Sequence, residues 1–390
     1  MVDLVKWSLI SLYFTGRLTG SINFEIDFRT ARLKVTKRAT VCAACLQILI
    51  LGSLYYQLLH TDFITTIISG VETLTDYVFL VIECSRVIGI ILALVSVWTH
   101  HRTFVRLYNS FRRLSQNNPE AVQYCRKSIV GKCLCIHVSE ILQVVVIFYI
   151  LRDQLTIPRC IRVGNIVALS VVINVVTAQY FIALATLRGR YFLLNRDLRT
   201  FLAETRALNP RKRGVFVTAC CSLADRLERI AQSQSAVQGL VERLVRTFQV
   251  RIVFIIILSY LNLVGNLYIL YSYYKNGILA KLWLSEEVVF VTSFTVYYFI
   301  ESWTNVYNSF YLLDAHEEMV QLLGQRTLFK PELDQRLEAV IDSFVLNLAR
   351  NPLRIRFLGF YTNSRPASIA LFETYLSHLI LLIQYDIEHS

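Results

Sequence analysis

Six long apolar runs limit what this 390-residue chain can fold into: about 39–60, 77–100, 129–151, 163–187, 251–274 and 287–313. At 1.5 Å per helical residue, each is long enough to cross the ~30 Å of bilayer hydrocarbon. A seventh run, about 368–385, is shorter and carries Glu373, Ser377 and His378. Hydrocarbon offers no water to a free backbone N–H or C=O, so runs of this kind fold as helices. Only 17% of residues are charged, against about a quarter in soluble domains, and these charges gather between the runs. The expected fold is an all-α membrane protein with seven transmembrane helices.

Charge decides its direction. The N-terminal segment and the loops after the second, fourth and sixth runs hold 32 of the 40 Lys and Arg residues, while the other loops and the C-terminus hold 5. Basic loops stay in the cytosol. The N-terminus is therefore expected inside and, after seven crossings, the C-terminus outside, the reverse of a G-protein-coupled receptor. The boundaries read as a cytosolic N-terminus 1–38, four helices within 39–187, a cytosolic helical loop 188–250, two helices within 251–313, a second such loop 314–367, and the last helix and tail 368–390. The net charge of +12 would suit nucleic acid, but the arginines lie between apolar segments and not on a soluble surface, so no nucleic-acid partner is expected. Of nine cysteines, Cys42, Cys45, Cys84, Cys133 and Cys135 fall inside apolar runs and Cys220 and Cys221 in a basic loop. That placement gives no disulfide framework. The start MVDLVKWSLISLYFTGR lacks a basic n-region and small-residue cleavage site, so no cleavable leader is expected.

The two long basic loops carry helical patterns of their own. After Pro210, Leu223, Leu227, Ile230, Val237, Val241, Leu244 and Phe248 follow steps of four and three, with Gln234 in the one polar slot. That is a heptad seam running into the fifth span. Tyr191, Leu194, Leu198 and Phe201 extend the fourth span in the same way, and past Pro331 the stripe Leu333, Leu337, Val340, Phe344 marks another amphipathic helix. The seams must be buried, either within one chain or at an interface between chains, and they define an anchor region.

Ionisable and polar groups inside spans are costly, and they face a cavity or one another. Glu83 and Arg86 stand at i, i+3 in the second span, Glu140 shares a face with His137 in the third, and Glu301 precedes Asn305 in the sixth. The Glu83–Arg86 spacing fits a self-neutralising pair that fixes packing as well as the polar wall of a ligand pocket. His137 and Glu140 are too few for a zinc site, and neither metal nor cofactor is expected. Aromatics crowd the outer ends of the fifth and sixth spans, most as an interfacial belt. Tyr271, Phe294 and Tyr298 are the candidates for stacking on a flat or cationic ligand, beside Glu83, Arg86, Glu140 and Glu301.

The last run reads SHLILLIQYDIEHS, with Gln384 inside it and Asp386 and Glu388 at its end, and no Lys or Arg follows. Leu381, Gln384 and Tyr385 are related by i, i+3 and i+4 and share one helix face. A Gln facing lipid is costly and one facing a water-filled axis is not.

Several stretches resemble the insect gustatory receptor family from end to end: INFEID at 22–27, CCSLADRLERIAQSQ at 220–234, RTLFKPELDQRLE at 326–338, ARNPLRIRFLGFYTNSRPAS at 349–368 and LILLIQYD at 379–386. That family's signature is Thr-Tyr, five apolar residues, Gln-Phe. Here the same frame holds Ser377-His378, five apolar residues and Gln384-Tyr385, while a Thr374-Tyr375 pair lies one turn earlier. The resemblance implies a ligand-gated, non-selective cation channel of the plasma membrane in sensory neurons, built as a homotetramer or heterotetramer around the seventh helix. It places Leu381, Gln384 and Tyr385 at the constriction and Asp386 and Glu388 at the outer mouth. The sequence looks more like the bitter-type group than the sugar or carbon dioxide receptors, with a small tastant as ligand.

Two other classes fit less well. The charge bias opposes a G-protein-coupled receptor. An enzyme would need clustered metal ligands, and a transporter would often show spans broken by Gly or Pro. All six prolines (119, 158, 210, 331, 352 and 366) lie outside the spans.

Overall fold

A computed structural model describes residues 4–27, 30, 32–60, 74–99, 101–117, 119–151, 156–208, 213–275, 286–325, 334–359 and 361–389. The expected spans correspond to helices α2 (Lys37–His60), α3 (Leu74–Thr99), α5 (Glu120–Leu151), α6 (Ile157–Ala207), α7 (Arg213–Lys275), α8 (Glu286–Gly324) and α10 (Arg365–Glu388). Six of them are long and apolar enough to cross a membrane among the described residues. The other, α8, runs for 39 residues through the place of the expected sixth span. Three shorter helices accompany them: α1 (Leu4–Leu18), α4 (His101–Asn117) and α9 (Gln335–Arg350). Two small antiparallel hairpins complete the described elements, β1 (Glu25–Asp27) with β2 (Arg32–Lys34) and β3 (Arg356–Phe357) with β4 (Tyr361–Thr362).

Local chemistry sets several helix starts. Asp334 caps α9, its carboxylate accepting from the Arg336 N–H at 3.0 Å. Ser364 caps α10 by accepting from the Ala367 N–H at 3.4 Å, with Pro366 in the first turn, where its missing N–H costs nothing. A cap of this kind contributes about 1 kcal/mol.

The long helices continue far beyond the bilayer. The 63 residues of α7 span about 95 Å at 1.5 Å each, and the 51 of α6 about 77 Å. Their cytosolic extensions hold the principal core. Leu223, Leu227, Ile230, Val237, Val241, Leu244 and Phe248 of α7 are buried against Tyr191, Leu198 and Phe201 of α6, Leu312 and Met319 of α8, and Leu337, Ile341, Phe344 and Leu348 of α9. The seam is thus covered by three helices of the same chain. Gln234 sits inside it, almost wholly buried, its amide donating to Gln238 Oε1 at 2.9 Å. The α9 stripe is rotated from the sequence expectation: Ile341 and Leu348 join Leu337 and Phe344 in the core, Val340 is only partly buried, and Leu333 lies outside the described residues.

Two elements were not expected. The start of the 1–38 segment forms α1, which lies along α5 and α6, with Val5 against Cys125 and Ile129 and Leu12 against Ile136 and Val175. The second loop contains α4, whose Phe104, Leu107 and Phe111 face the core. Within the membrane, α3 and α7 approach closely at two reciprocal glycines. A Cβ on Gly89 would strike the Phe254 ring and one on Gly265 the Ile82 side chain, both at 2.5 Å. Small residues at a crossing of this kind let helices associate where no hydrophobic force acts between them.

Candidate functional site

The last helix stands apart. No residue of α10 is buried, and it leans on α7 along one side only. Tyr375 packs on the Tyr260 ring at 5.1 Å, the Tyr260 hydroxyl bonds His378 Nδ1, and Arg365 holds Asp314 of α8 at 2.8 Å. The other side presents Thr374, Ser377, Leu381, Gln384 and Glu388, spaced three and four apart and all exposed. Leu381 is 58% exposed and Tyr385 52%. Between α3, α7 and α10 lies an open cleft of about 750 Å³, lined by Tyr77, Tyr260, His378, Leu381, Gln384, Tyr385 and Glu388 among others.

Asp386 departs from the expectation of a free rim charge. Lys275, at the end of α7, donates to its carboxylate at 2.8 Å and to its backbone oxygen at 3.2 Å. That cation comes from the end of the fifth span. Glu388 keeps no ion-pair partner among the described residues. Tyr385 stacks on His389 at 4.1 Å.

The other candidates fall into separate polar clusters. Glu83 and Arg86 are paired at 2.7 Å, and Arg86 also donates to Asn262 Oδ1 of α7 at 2.7 Å. That third partner fits the packing role, since the cluster ties α3 to α7 behind the cleft. Glu140 lies 3.4 Å from His137 Nδ1, whose Nε2 meets Ser11 Oγ of α1 at 2.9 Å. On α6, Asn174 Oδ1 accepts from the Tyr297 hydroxyl at 2.9 Å. Tyr271 is half-buried beside the Tyr268 ring at 6.2 Å. The side chains of Phe294 and Tyr298 lie outside the described residues.

Glu301 has a partner that the sequence reading passed over. Lys132 of α5 forms a close ion pair with it and donates to Asn305 Oδ1 at 3.1 Å, its ammonium 5.3 Å from the Phe181 ring centroid. The Lys132 side chain is 1% exposed and that of Glu301 11%. A lone lysine within the third apolar run was the available signal. Arg251, at the start of the fifth span, was missed likewise; it donates to the Ser96 carbonyl at 2.7 Å. Among the described residues no group of three or more His, Cys, Asp or Glu could hold a metal ion.

Comparison with known proteins matches residues 9–389 to the family described as 7tm chemosensory receptor. A Drosophila melanogaster protein bearing the name gustatory receptor 59d is 45% identical over 389 residues, covering all of both chains. One named gustatory receptor 36a, from the same organism, is 32% identical over 393 residues, again at full coverage. Among solved structures, the insect olfactory receptor OR5 from Machilis hrabei superposes with a TM-score of 0.66 at 11% identity, over 98% of this chain and 100% of that one. The same receptor in complex with eugenol gives 0.65 at 13%, over 98% of each. Those two likenesses speak to the fold.

Proposed function

Since this chain belongs to the 7tm chemosensory receptor family, as a multi-pass gustatory receptor of the plasma membrane and not an enzyme, we propose that it is a ligand-gated, non-selective cation channel for aversive tastants. The observation carrying this is the bare polar stripe of α10. Thr374 and Ser377 return their hydroxyls to the helix's own carbonyls, at 2.8 and 3.0 Å, but Gln384 and Glu388 would be costly against lipid, and among the described residues nothing buries them. Copies of the chain arranged around an axis relieve that cost. Four α10 helices would turn the stripe onto a water-filled path, with Leu381 and Tyr385 as apolar constrictions that close by dewetting, Gln384 as a polar ring and Glu388 as the charged mouth.

A small tastant would enter from the outer side. Glu140 with Asn174 and Tyr297 offers polar anchors, and Tyr271 an aromatic face. Glu83, Arg86 and Glu301 act in this reading as packing groups that transmit movement between helices and not as direct contacts. Eugenol in the Machilis receptor shows the size of molecule that a neighbour of this fold accepts, which supports a small apolar or aromatic tastant here.

Excised-patch recording from cells expressing the chain, alone or with sister receptors, tests the proposal. Tastants should open a conductance carrying Na⁺ and K⁺ alike, and Gln384→Ala should alter its selectivity or leave it open at rest. Responses that need a cytosolic second messenger and vanish in excised patches would instead support signalling through a partner protein.

A further inference from the structure

A second cavity, of about 560 Å³, takes no part of its wall from α10. Its walls come from α1, the segment leading into β1, α4, and the cytosolic ends of α5, α6 and α7, with Leu9, Leu12, Phe24, Leu107, Phe111 and Phe248 typical of the lining. The volume falls within the ~300–1,000 Å³ of small-molecule sites. Along α4 the residues Tyr108, Arg112 and Gln116 stand at i, i+4 and i+8, a single row facing this apolar space.

Arg112 is the unexplained member. Its Nε is buried without a hydrogen-bond partner, and among the described residues no carboxylate pairs with it. Nearby acids are engaged elsewhere: Glu25 with Arg17, Asp27 with Lys34 and Glu120 with Arg196. A buried guanidinium nitrogen lacking an acceptor is costly, and an anionic oxygen matches it best. Burial raises the Tyr108 phenol above its ordinary pKa, so its hydroxyl stays a neutral donor beside the same point.

The setting identifies the anion. Helix α4 carries Arg102, Arg106, Arg112 and Arg113 and no acidic residue, with its apolar side inward. Four arginines with no acid among them, at the cytosolic end of the spans, attract the anionic headgroups of that leaflet. Helix α1 turns Trp7, Phe14 and Leu18 outward, Trp7 63% exposed, as an interfacial helix does. Leu9 both lines the cavity and is 39% exposed, so the cavity shares a wall with the lipid-facing surface. We propose that this cavity binds an anionic phospholipid of the cytosolic leaflet, with an acyl chain in the apolar space and the headgroup phosphate on Arg112. The lipid then braces α4 against α7, which already meet through Phe104 and Phe248 at 5.9 Å, at the level where the cytosolic seam enters the membrane.

The test uses the full chain in mild detergent, offered equal amounts of phosphatidylinositol and phosphatidylcholine, washed on affinity resin, with retained lipid measured by mass spectrometry. The wild type should keep phosphatidylinositol in preference. Arg112→Gln should lower that preference about tenfold, the scale of one hydrogen bond to a charged group. Ala183→Phe, which fills the cavity from α6, should lower retention of both lipids. A soluble inositol phosphate added in equal amount should not displace the lipid. Equal retention of the two lipids by the wild type overturns the proposal. So does displacement by the soluble headgroup, which would make the site one for a free anion. Both of these readings use the wild type and stand even if a variant fails to fold.

Discussion

The Lys132–Glu301 pair decides whether the sixth span's carboxylate is a packing group or a ligand contact. Lys132 is buried almost completely, and its ammonium is held by Glu301 and by Asn305 Oδ1 at 3.1 Å. Among the described residues, Glu301 Oε2 has no hydrogen-bond partner, and Oε1 accepts from Lys132 and from the Asn305 amide at 3.2 Å. Lys132→Met therefore strips the carboxylate of its counter-charge where water cannot replace it. Breaking a buried pair from one side costs about 3–5 kcal/mol, whereas replacing both members with apolar residues of similar size is often close to neutral. Lys132→Met and Glu301→Leu should each lower thermal stability in detergent and surface expression sharply, and the double variant should recover most of the loss. The coupling from the double-mutant cycle should reach about 3 kcal/mol. A purely structural pair predicts that the recovered double variant keeps its wild-type dose–response. A coupling below about 0.5 kcal/mol would falsify the reasoning, and recovered stability with a lost tastant response would return Glu301 to the binding site.

Three further outcomes are expected. Leu227→Asp and Val241→Asp place a charge in a core made by helices of one chain, so each should abolish folding outright; a folded monomer on native gels would mean that the seam serves assembly instead. Glu388→Gln should reduce single-channel conductance most at low ionic strength, where the Debye length exceeds the ~8 Å of physiological salt, while Asp386→Asn, its charge already met by Lys275 at 2.8 Å, should change conductance little; the opposite ranking would place Asp386 at the mouth. His316 in the cytosolic part of α8 accepts from the Leu353 N–H at 3.3 Å, and burial lowers its pKa below the ordinary 6.5. The unfolded chain then binds a proton that the folded chain refuses, so stability is full above about pH 6.5 and falls as pH drops below it. His316→Gln should flatten that slope, and an unchanged slope would assign it to another group.

Much of the architecture was legible along the chain. Each span is a local property, because twenty apolar residues in lipid have no alternative to a helix, and the charge bias of the loops orients the whole set. The seam from Leu223 to Phe248 was visible as a period, and that Leu381 and Gln384 share a face followed from helix geometry. Helices α1 and α4 escaped notice: α1, at 15 residues, is too short to read as a span, and α4 is amphipathic and set among charged residues that read as loop.

What tertiary structure alone decided was partnership. The sequence offers Glu301, Lys132, Asp386 and Lys275 as isolated charges in or beside different spans, 169 and 111 residues apart within the two pairs. Which cation meets which carboxylate depends on how neighbouring helices are rotated and how deeply each is set, and no periodicity along one helix records the rotation of another. The same holds for the seam, whose period demands burial without saying by what. It holds also for the cavity beside Arg112, which exists only because five helices and a hairpin segment converge there without quite meeting. Local sequence fixes which surfaces must be hidden and which charges must be answered, while the long-range packing of the helices settles what hides and answers them.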